Sequence, residues 1–347
     1  MPPETRLRLG TWNVEWMNAL FDDAGRLRED DGPSARYGIS RRDQLAAIGV
    51  VLAAMDPDAL VVVEAPDTNG RRSTVRALET LAAACDLRAR SALIGYPSET
   101  EQEIALLYDP DRITARHDPK GEPAPRHGGA PRFDGVFRFD LDNDAIPEPV
   151  RWSKPPMELA VSTAAGRAFR LIGVHAKSKA PHGARSPGEA TRLGIENRRK
   201  QLAQCVWLRR RVEGHLAAGE TLVVAGDFND GPGLDEYEAL FGRSGVEVVL
   251  GTDAAPGLRL FDPHAAMALG RRLGPAPATA RFYLKPQARY FEALLDFVMV
   301  SPDLAATAPD WRIWHPFDDP RIAARPELRE ALLTASDHFP VTVDLAM

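Results

Sequence analysis

The segment Gly226-Asp227-Phe228-Asn229-Asp230 sets a carboxylate and a carboxamide two residues apart. In extended backbone, residues two apart share a face. Asp227 and Asn229 can then hold one water or one phosphate oxygen together, while Phe228 turns into the core. The carboxylate accepts a proton or orients the water, and the amide donates to an oxyanion. A turn is the plainer reading, because Asp, Asn, Asp and Gly crowd together here. A second cluster is Ser336-Asp337-His338-Phe339-Pro340. Proline lacks an N–H and fits a strand start, which puts His338 at the strand mouth beside a carboxylate. A histidine held by a second carboxylate gains a fixed tautomer and a raised pKa. Asp296 lies inside the apolar run Leu294–Val300 and is the best candidate for that carboxylate, since a charge in such a run should be paired.

The elements that must position these groups are short apolar runs that stop at a polar residue. Leu7–Trp12 stops at Asn13, Ala59–Val63 at Glu64, Phe169–Val174 at His175 and Thr221–Gly226 at Asp227. Rich in β-branched residues and of strand length, they read as buried strands. Each polar stop has a bland reading: Asn13 a turn residue, Glu64 a salt-bridged acid, His175 a core histidine, His338 a strand cap. Further strands are expected at Glu103–Tyr108, Gly135–Leu141, Met157–Ser162, Leu294–Ser301 and Pro340–Leu345. Helical spacing predicts a helix capped by Ser40 and running through Met55, one capped by Ser73 and running through Ala84, and a long one from Gly188 to Glu213. Asp118–Pro131 and Pro181–Pro187 read as loops. The order of elements is not a regular βαβ series, so a mixed sheet, or two packed sheets with outer helices, fits best, in a single domain over residues 1–347.

The chain has 347 residues, 44 % of them apolar and 27 % charged, with a net charge of −6. These values exclude a disordered or fibrous chain. No apolar run approaches the roughly 18 residues of a membrane span. The start, Met1–Arg6, lacks the basic and apolar regions of a secretory leader, and two cysteines are too few for a disulfide framework. A cytoplasmic location is the expectation. The mild acidity argues against a protein that coats nucleic acid in bulk but not against a local basic groove. Such a groove is suggested by His175–Arg211, where Lys177, Lys179, Arg185, Arg192, Arg198, Arg199, Lys200, Arg209, Arg210 and Arg211 face only Glu189 and Glu196. It reads either as a solvated helix face or as a phosphate-binding rim, with Lys177 and Lys179 nearest His175.

In order, Thr11-Trp12-Asn13-Val14, Val61-Val62-Val63-Glu64, Val174–Lys179, Gly226–Asn229, Leu295–Ser301 and Ser336–Pro340 resemble the motifs of the endonuclease/exonuclease/phosphatase (deoxyribonuclease-I-like) superfamily. The resemblance covers almost the whole chain. It implies a four-layer α/β sandwich, two mixed β-sheets packed face to face with helices outside, and metal-dependent attack of water on a phosphoester. By that resemblance Asn13 and Glu64 look like metal-side residues, with Asp337 a further carboxylate. Asp227 looks like the group that positions or deprotonates the water, and Asn229 like its partner on the phosphate. His175 and His338 look like the pair that contacts the phosphate and moves protons, with Asp296 orienting His338. Oxygen ligands without cysteine favour Mg²⁺ or Mn²⁺, with Ca²⁺ a further option. His175-Ala176-Lys177-Ser178-Lys179, with Ser153-Lys154-Pro155-Pro156 before it, is most similar to the bacterial nuclease branch, Lys154 replacing an arginine common there, so Lys154 joins Lys177 and Lys179 as substrate-binding. Gly173 stands where asparagine is common, and Val63 where glutamine is common. Nucleic acid is the expected substrate, with no protein partner. The alternatives are a lipid or inositol-phosphate hydrolase, which should carry an exposed apolar hairpin (none is evident, and Trp311 and Trp314 read better as core), and a catalytically inactive binding module.

Overall fold

The computed structural model describes residues 6–123, 129–140, 146–233, 242–270, 277–284 and 288–347. The expected strand Gly135–Leu141 is observed as Phe137–Phe139. Leu141, residues 124–128 of the expected Asp118–Pro131 loop and the Met1–Thr5 start lie outside the described residues.

Two mixed sheets carry the molecule. The first has six strands in the order β14 (Asp310–Ile313), β15 (Val341–Ala346), β1 (Arg6–Asn13), β2 (Ala59–Ala65), β4 (Glu103–Tyr108), β3 (Ser91–Ile94). The second has five, in the order β13 (Asp296–Val300), β10 (Leu222–Asp227), β9 (Ala168–His175), β8 (Met157–Thr163), β5 (Ile113–His117). Two-stranded ribbons β6 (Phe137–Phe139) with β7 (Glu148–Val150), and β11 (Ala280–Leu284) with β12 (Arg289–Ala293), stand apart from them.

The apolar runs are continuous because both faces of each sheet are buried. Leu7, Leu9, Val61, Val63 and Leu106 of the first sheet meet Leu159, Leu171, Val223, Ala225 and Val298 of the second. The opposite face of the first sheet, with Trp12, Leu60 and Val62, packs under α1 (Arg41–Met55), α2 (Thr74–Ala84) and the helix Pro326–Ala335. The outer face of the second, with Ile172, Val174 and Val224, packs under α3 (Pro187–Ala217) and the helix Gly245–Leu250. These are the four layers that the motifs imply.

Helices α1 and α2 start after Ser40 and Ser73, whose side chains accept from Asp43 N and Arg76 N, as expected of N-caps. Helix α3 is longer than the expected Gly188–Glu213. It begins at Pro187, capped by Ser186. Proline at the first helical position gives up only an N–H that no helix uses.

Strand direction gathers the polar stops. β1 runs parallel to β2 and β9 parallel to β10, so Asn13, Glu64, His175 and Asp227 come from C-terminal ends of strands. β15 and β13 run antiparallel to these neighbours, so their N-terminal ends, after His338 and at Asp296, lie at the same edge. Asp227 pairs with His175 on one side and with Asp296 on the other. Gly226 permits this spacing: its φ is +146°, and a Cβ there would lie 2.0 Å from the Val174 carbonyl oxygen.

Candidate active site

The floor is a set of buried polar side chains. His338 Nδ1 lies 2.7 Å from Asp296 Oδ2, and the same oxygen accepts the Thr279 hydroxyl at 2.9 Å. Thr279 Oγ1 in turn accepts the N–H groups of Leu295 and Asp296, both at 2.9 Å. His338 N donates to Ser336 Oγ, and the carbonyl of His338 accepts Trp12 Nε1. Burial alone would discharge His338. The adjoining carboxylates of Asp296, Asp227 and Asp337 outweigh it and hold the pKa well above the usual histidine value. His338 is therefore an imidazolium with its Nδ1–H committed to Asp296.

Asp227 is 1 % exposed. Its Oδ2 accepts the side-chain amides of Asn13 and Asn229, each at 3.1 Å, and its Oδ1 accepts Asn229 N at 2.7 Å. Burial and the negative charge of Asp296 push the Asp227 carboxyl up to about 7, against the pull of His338. The sequence allows this segment either an extended backbone or a turn. The backbone turns left-handed at Asn229, with φ +50°, a conformation that Asn tolerates. Asp227 and Asn229 still meet, but through an Asx-type turn. The Asn229 amide is committed to Asp227 and to the Ala176 carbonyl at 3.1 Å.

His175 is the opposite of His338. Burial, then the neighbouring charges of Lys154 and His338, hold its pKa well below the usual value. Its Nε2 lies 3.1 Å from Lys154 Nζ and 3.7 Å from Asp227 Oδ2. An imidazole that accepts from lysine at Nε2 carries its proton at Nδ1, and that buried nitrogen has no hydrogen-bond partner. Burial lowers the Lys154 ammonium to about 8, against the pull of Glu64 and Asp227.

Glu64 sits at a β-bulge, where β2 slips against β4 between Val63 and Ala65, and it adopts φ +59°. Bulges re-aim side chains at functional sites. Here the half-buried Glu64 carboxylate lines the same cavity as Asn13, Asp227, Asp337 and His338. Glu64 Oε2 accepts Trp16 N at 2.9 Å, and Asn13 Oδ1 accepts Glu15 N at 3.2 Å. Glu64, Asn13 and Asp337 thus line one cavity with side-chain oxygens, the donor type that suits Mg²⁺ or Mn²⁺. Asp227, Asp296 and His338 also bring ligand-type atoms within 4.8 Å of one another. There the imidazolium already supplies positive charge between the two carboxylates, although the buried Asp296 Oδ1 has no hydrogen-bond partner.

The cavity over this floor measures about 800 Å³. Lys177 is half-buried on its rim. Lys179 lines it too, but its ammonium is 2.7 Å from Asp230 Oδ1, and the buried Arg198 holds the same oxygen at 2.7 Å. The basic stretch is thus only in part a rim. Arg209 donates to the Val249 and Leu258 carbonyls, and Arg211 to those of Lys120, Ala130 and Pro131. Charge counting along a helix cannot distinguish a guanidinium that ties down loops from one that faces solvent. Arg192 pairs with Glu196. Trp314 is buried, and Trp311 Nε1 bonds the Val298 carbonyl.

Several residues of the site carried no signal in the sequence. Gln201 of α3 donates to the carbonyls of Lys177, Phe228 and Asn229 at 3.0, 3.1 and 2.9 Å. Glu15 accepts Asp337 N and pairs with Arg36. Burial, with Asp337 adding to it, raises the Glu15 carboxyl to about 6. Trp16, at φ +57° and 46 % exposed, lines the cavity. The ribbon β11–β12 supplies Phe282, Leu284 and Phe291 to the same wall. Alternation of aromatics in two short strands was the only available clue.

Residues 10–338 match the Endonuclease/Exonuclease/phosphatase family. Solved structures share the fold at low identity. One is an endonuclease/exonuclease/phosphatase from Bacteroides vulgatus (TM-score 0.51, 13 % identity, 98 % of each chain). Another is D. rerio TDP2 complexed with a single-strand DNA product (0.50, 12 %, 99 % of this chain and 100 % of that one). A third is the Bacteroides thetaiotaomicron mannosyl-6-phosphatase Bt3783 (0.50, 13 %, 98 % and 100 %). No curated protein sequence matches the chain significantly. Among the described residues no helix is long and apolar enough to cross a membrane.

Proposed function

The chain belongs to the Endonuclease/Exonuclease/phosphatase family, whose members hydrolyse phosphoesters, and from that premise we propose that it is a metal-dependent phosphodiesterase that cleaves nucleic acid by attack of water on phosphorus. The fold does not choose the substrate, since it is shared by a protein bound to DNA and by a sugar phosphatase. The reading is carried by one observation: a proton acceptor, Asp227, and a charged donor, His338, lie together at the floor of a cleft whose rim bears Lys154 and Lys177.

In this mechanism Asp227 takes the proton of the attacking water. Its Oδ2 is held by Asn13 and Asn229, and a pKa of about 7 suits a base at neutral pH. His338, kept charged by Asp296, presents Nε2–H to a phosphoryl oxygen. Neutral His175 positions Lys154, 3.1 Å from its Nε2, to supply positive charge to the phosphate. Glu64, Asn13 and Asp337 would hold Mg²⁺ or Mn²⁺, which when bound offsets charge developing on the phosphoryl oxygens. Lys154 and Lys177 bind the flanking backbone. Lys179 acts through Asp230 on the loop that carries Asn229.

The test is one panel of circular DNA, RNA, sphingomyelin, inositol phosphates and a chromogenic diester, each with Mg²⁺, Mn²⁺ and Ca²⁺. The reading expects DNA or RNA cleavage that falls steeply with salt and is lost in Asp227→Ala and His338→Ala. Hydrolysis of lipid alone would overturn it. A lipid phosphodiesterase is the second reading, favoured by the exposed aromatics Tyr283, Tyr290 and Phe291 on the β11–β12 ribbon.

A further inference from the structure

The β11–β12 ribbon has two unlike faces. Its register pairs Phe282 with Phe291 and Tyr283 with Tyr290. Cross-strand partners share a face and neighbours alternate, so one face carries Ala280, Phe282, Leu284, Phe291 and Ala293, with Arg289 opposite Leu284 at its open end. That face lines the cavity with Asp227 and His338. The other carries Arg281, ion-paired with Glu292 and stacked 4.1 Å over the Tyr290 ring, and Tyr283, whose ring lies 5.2 Å from that of Tyr290.

The apolar face is turned toward the cleft, with Phe291 still 36 % exposed there. It stands over the reacting centre, with the Phe282 ring edge-on to the His338 imidazole at 5.6 Å between centroids. A second aromatic, Trp16, enters the cavity from the loop after β1, held by the bond from its own N–H to Glu64. A half-exposed indole on left-handed backbone is costly to keep, and lining a cleft gives it a use. The same cavity holds Lys154 and Lys177, with Lys200 adding its charge beside Lys177. Aromatic faces next to lysines, within one cleft, match a chain of planar rings on a polyanionic backbone.

We propose that Trp16 and the Phe282–Phe291 face form a stacking subsite for unpaired bases flanking the scissile phosphate, so that the protein selects single-stranded over duplex nucleic acid. The inference rests on the nucleic-acid reading above and deepens it. In a duplex the bases are already stacked and paired, and offer no free face to the ribbon. A bilayer is the weaker occupant, because the outward face of the ribbon is ion-paired and hydroxylated while the apolar face is turned into the cleft.

The experiment compares cleavage of one oligonucleotide in three forms: single-stranded, duplex, and single-stranded with abasic nucleotides flanking a single cleavable phosphodiester. Wild-type protein, Trp16→Ala, Phe291→Ala and the outward-face variant Tyr283→Ser are assayed with Mn²⁺. The same proteins are tested for binding to the strand with Ca²⁺ and to phosphatidylcholine–sphingomyelin vesicles. We expect at least tenfold preference for the single strand, a KM about tenfold higher for Trp16→Ala and Phe291→Ala with kcat little changed, and a smaller penalty from the same variants on the abasic strand. Tyr283→Ser should stay within twofold of wild type. Equal cleavage of duplex and single strand, or equal penalties on intact and abasic strands, would overturn the subsite and leave the nuclease reading standing. A protein that cleaves no oligonucleotide, yet binds the single strand through Trp16 and Phe291, would overturn the nuclease reading and leave the subsite standing. If Phe291→Ala abolishes vesicle binding and leaves oligonucleotide cleavage intact, the ribbon is a lipid surface and the proposal fails.

Discussion

His338 Nδ1 and Asp296 Oδ2 are 2.7 Å apart although 42 residues separate them in sequence, and both side chains are buried. This contact sets the charge, tautomer and direction of the imidazole together. Asp296→Asn keeps the shape and removes the charge, so the His338 pKa should fall and its tautomer should no longer be fixed. Proton transfer by a positioned group contributes about 10²–10⁴-fold, and kcat should drop within that range while KM changes little. NMR titration of the imidazole nitrogens checks the cause: an unshifted His338 would mean that Asp296 does not hold its charge.

The pH dependence follows from upward shifts in two neighbours. Asp227 must be ionised to accept a proton, and its carboxyl is pushed up to about 7 by burial and by Asp296. Below that pH, kcat/KM should fall tenfold per unit as the carboxylate is protonated. His338 must stay protonated, and its raised pKa keeps it so through neutrality, so the alkaline limb lies well above pH 6.5. The two groups interact, and the limbs report the cluster rather than either residue alone. In Asp296→Asn the alkaline limb should move down in pH. A profile flat from pH 5 to 9 would dismiss both assignments.

Glu64 is the carboxylate that the β2 bulge turns into the cleft. Glu64→Ala should weaken Mg²⁺ or Mn²⁺ binding at least tenfold by calorimetry and leave the melting temperature of the metal-free protein within a few degrees. Unchanged affinity would move the metal to other ligands.

The polar strand ends were legible because a buried strand that stops at Asn, Glu, His or Asp must find a partner for that group, and parallel strands bring such ends to one edge. Singly, Asn13, Glu64, His175, Asp227 and His338 each have a plainer reading, and their order along the chain carries the resemblance. Three devices that hold them were not legible. The turn at Asn229 is left-handed, the bulge at Glu64 depends on its pairing with β4, and Gln201 reaches three carbonyls from a helix with no local mark of that task. The basic stretch shows the converse failure. Arg198, Arg209 and Arg211 are near in sequence to Lys177 but are spent on Asp230 and on loop carbonyls.

Gln201 gives a test of positioning without touching the reacting atoms. Its amide nitrogen serves the carbonyls of Lys177, Phe228 and Asn229, and its Oε1 accepts Arg198 Nη1 at 2.9 Å. Gln201→Leu leaves buried carbonyls and a guanidinium short of partners, a loss of about 1–3 kcal/mol for each unsatisfied group. Stability in urea should fall by that order. With the Asp227–Asn229 turn loosened, kcat should fall more than tenfold at a temperature where the variant is folded. Full activity in a destabilised variant would confine Gln201 to a structural role.

Glu103 gives the last prediction, and its sign is the reverse of a salt-bridged acid. Its carboxylate is fully buried and accepts the N–H groups of Ser98 and Thr68 at 2.8 and 3.3 Å. Burial outweighs those bonds, Asp67 adds to it, and the pKa rises from the ordinary 4.5 to about 7. Between those values the folded chain holds a proton that the unfolded chain has released. Stability is therefore greatest below the unfolded pKa, declines as pH rises from about 4.5 through about 7, and is level above. The shift corresponds to a contribution on the order of 3 kcal/mol. Asp227, Glu15 and Asp262 are raised into the same window, so the wild-type profile alone does not isolate Glu103. The difference between wild type and Glu103→Gln does. Urea denaturation at pH 5 and pH 8 should show the variant losing less stability between the two pH values, because glutamine cannot ionise. Parallel losses in the two proteins would mean that Glu103 titrates normally and that the segments it joins, Thr68 beside the Glu64 bulge and Ser98 ahead of β4, are held some other way.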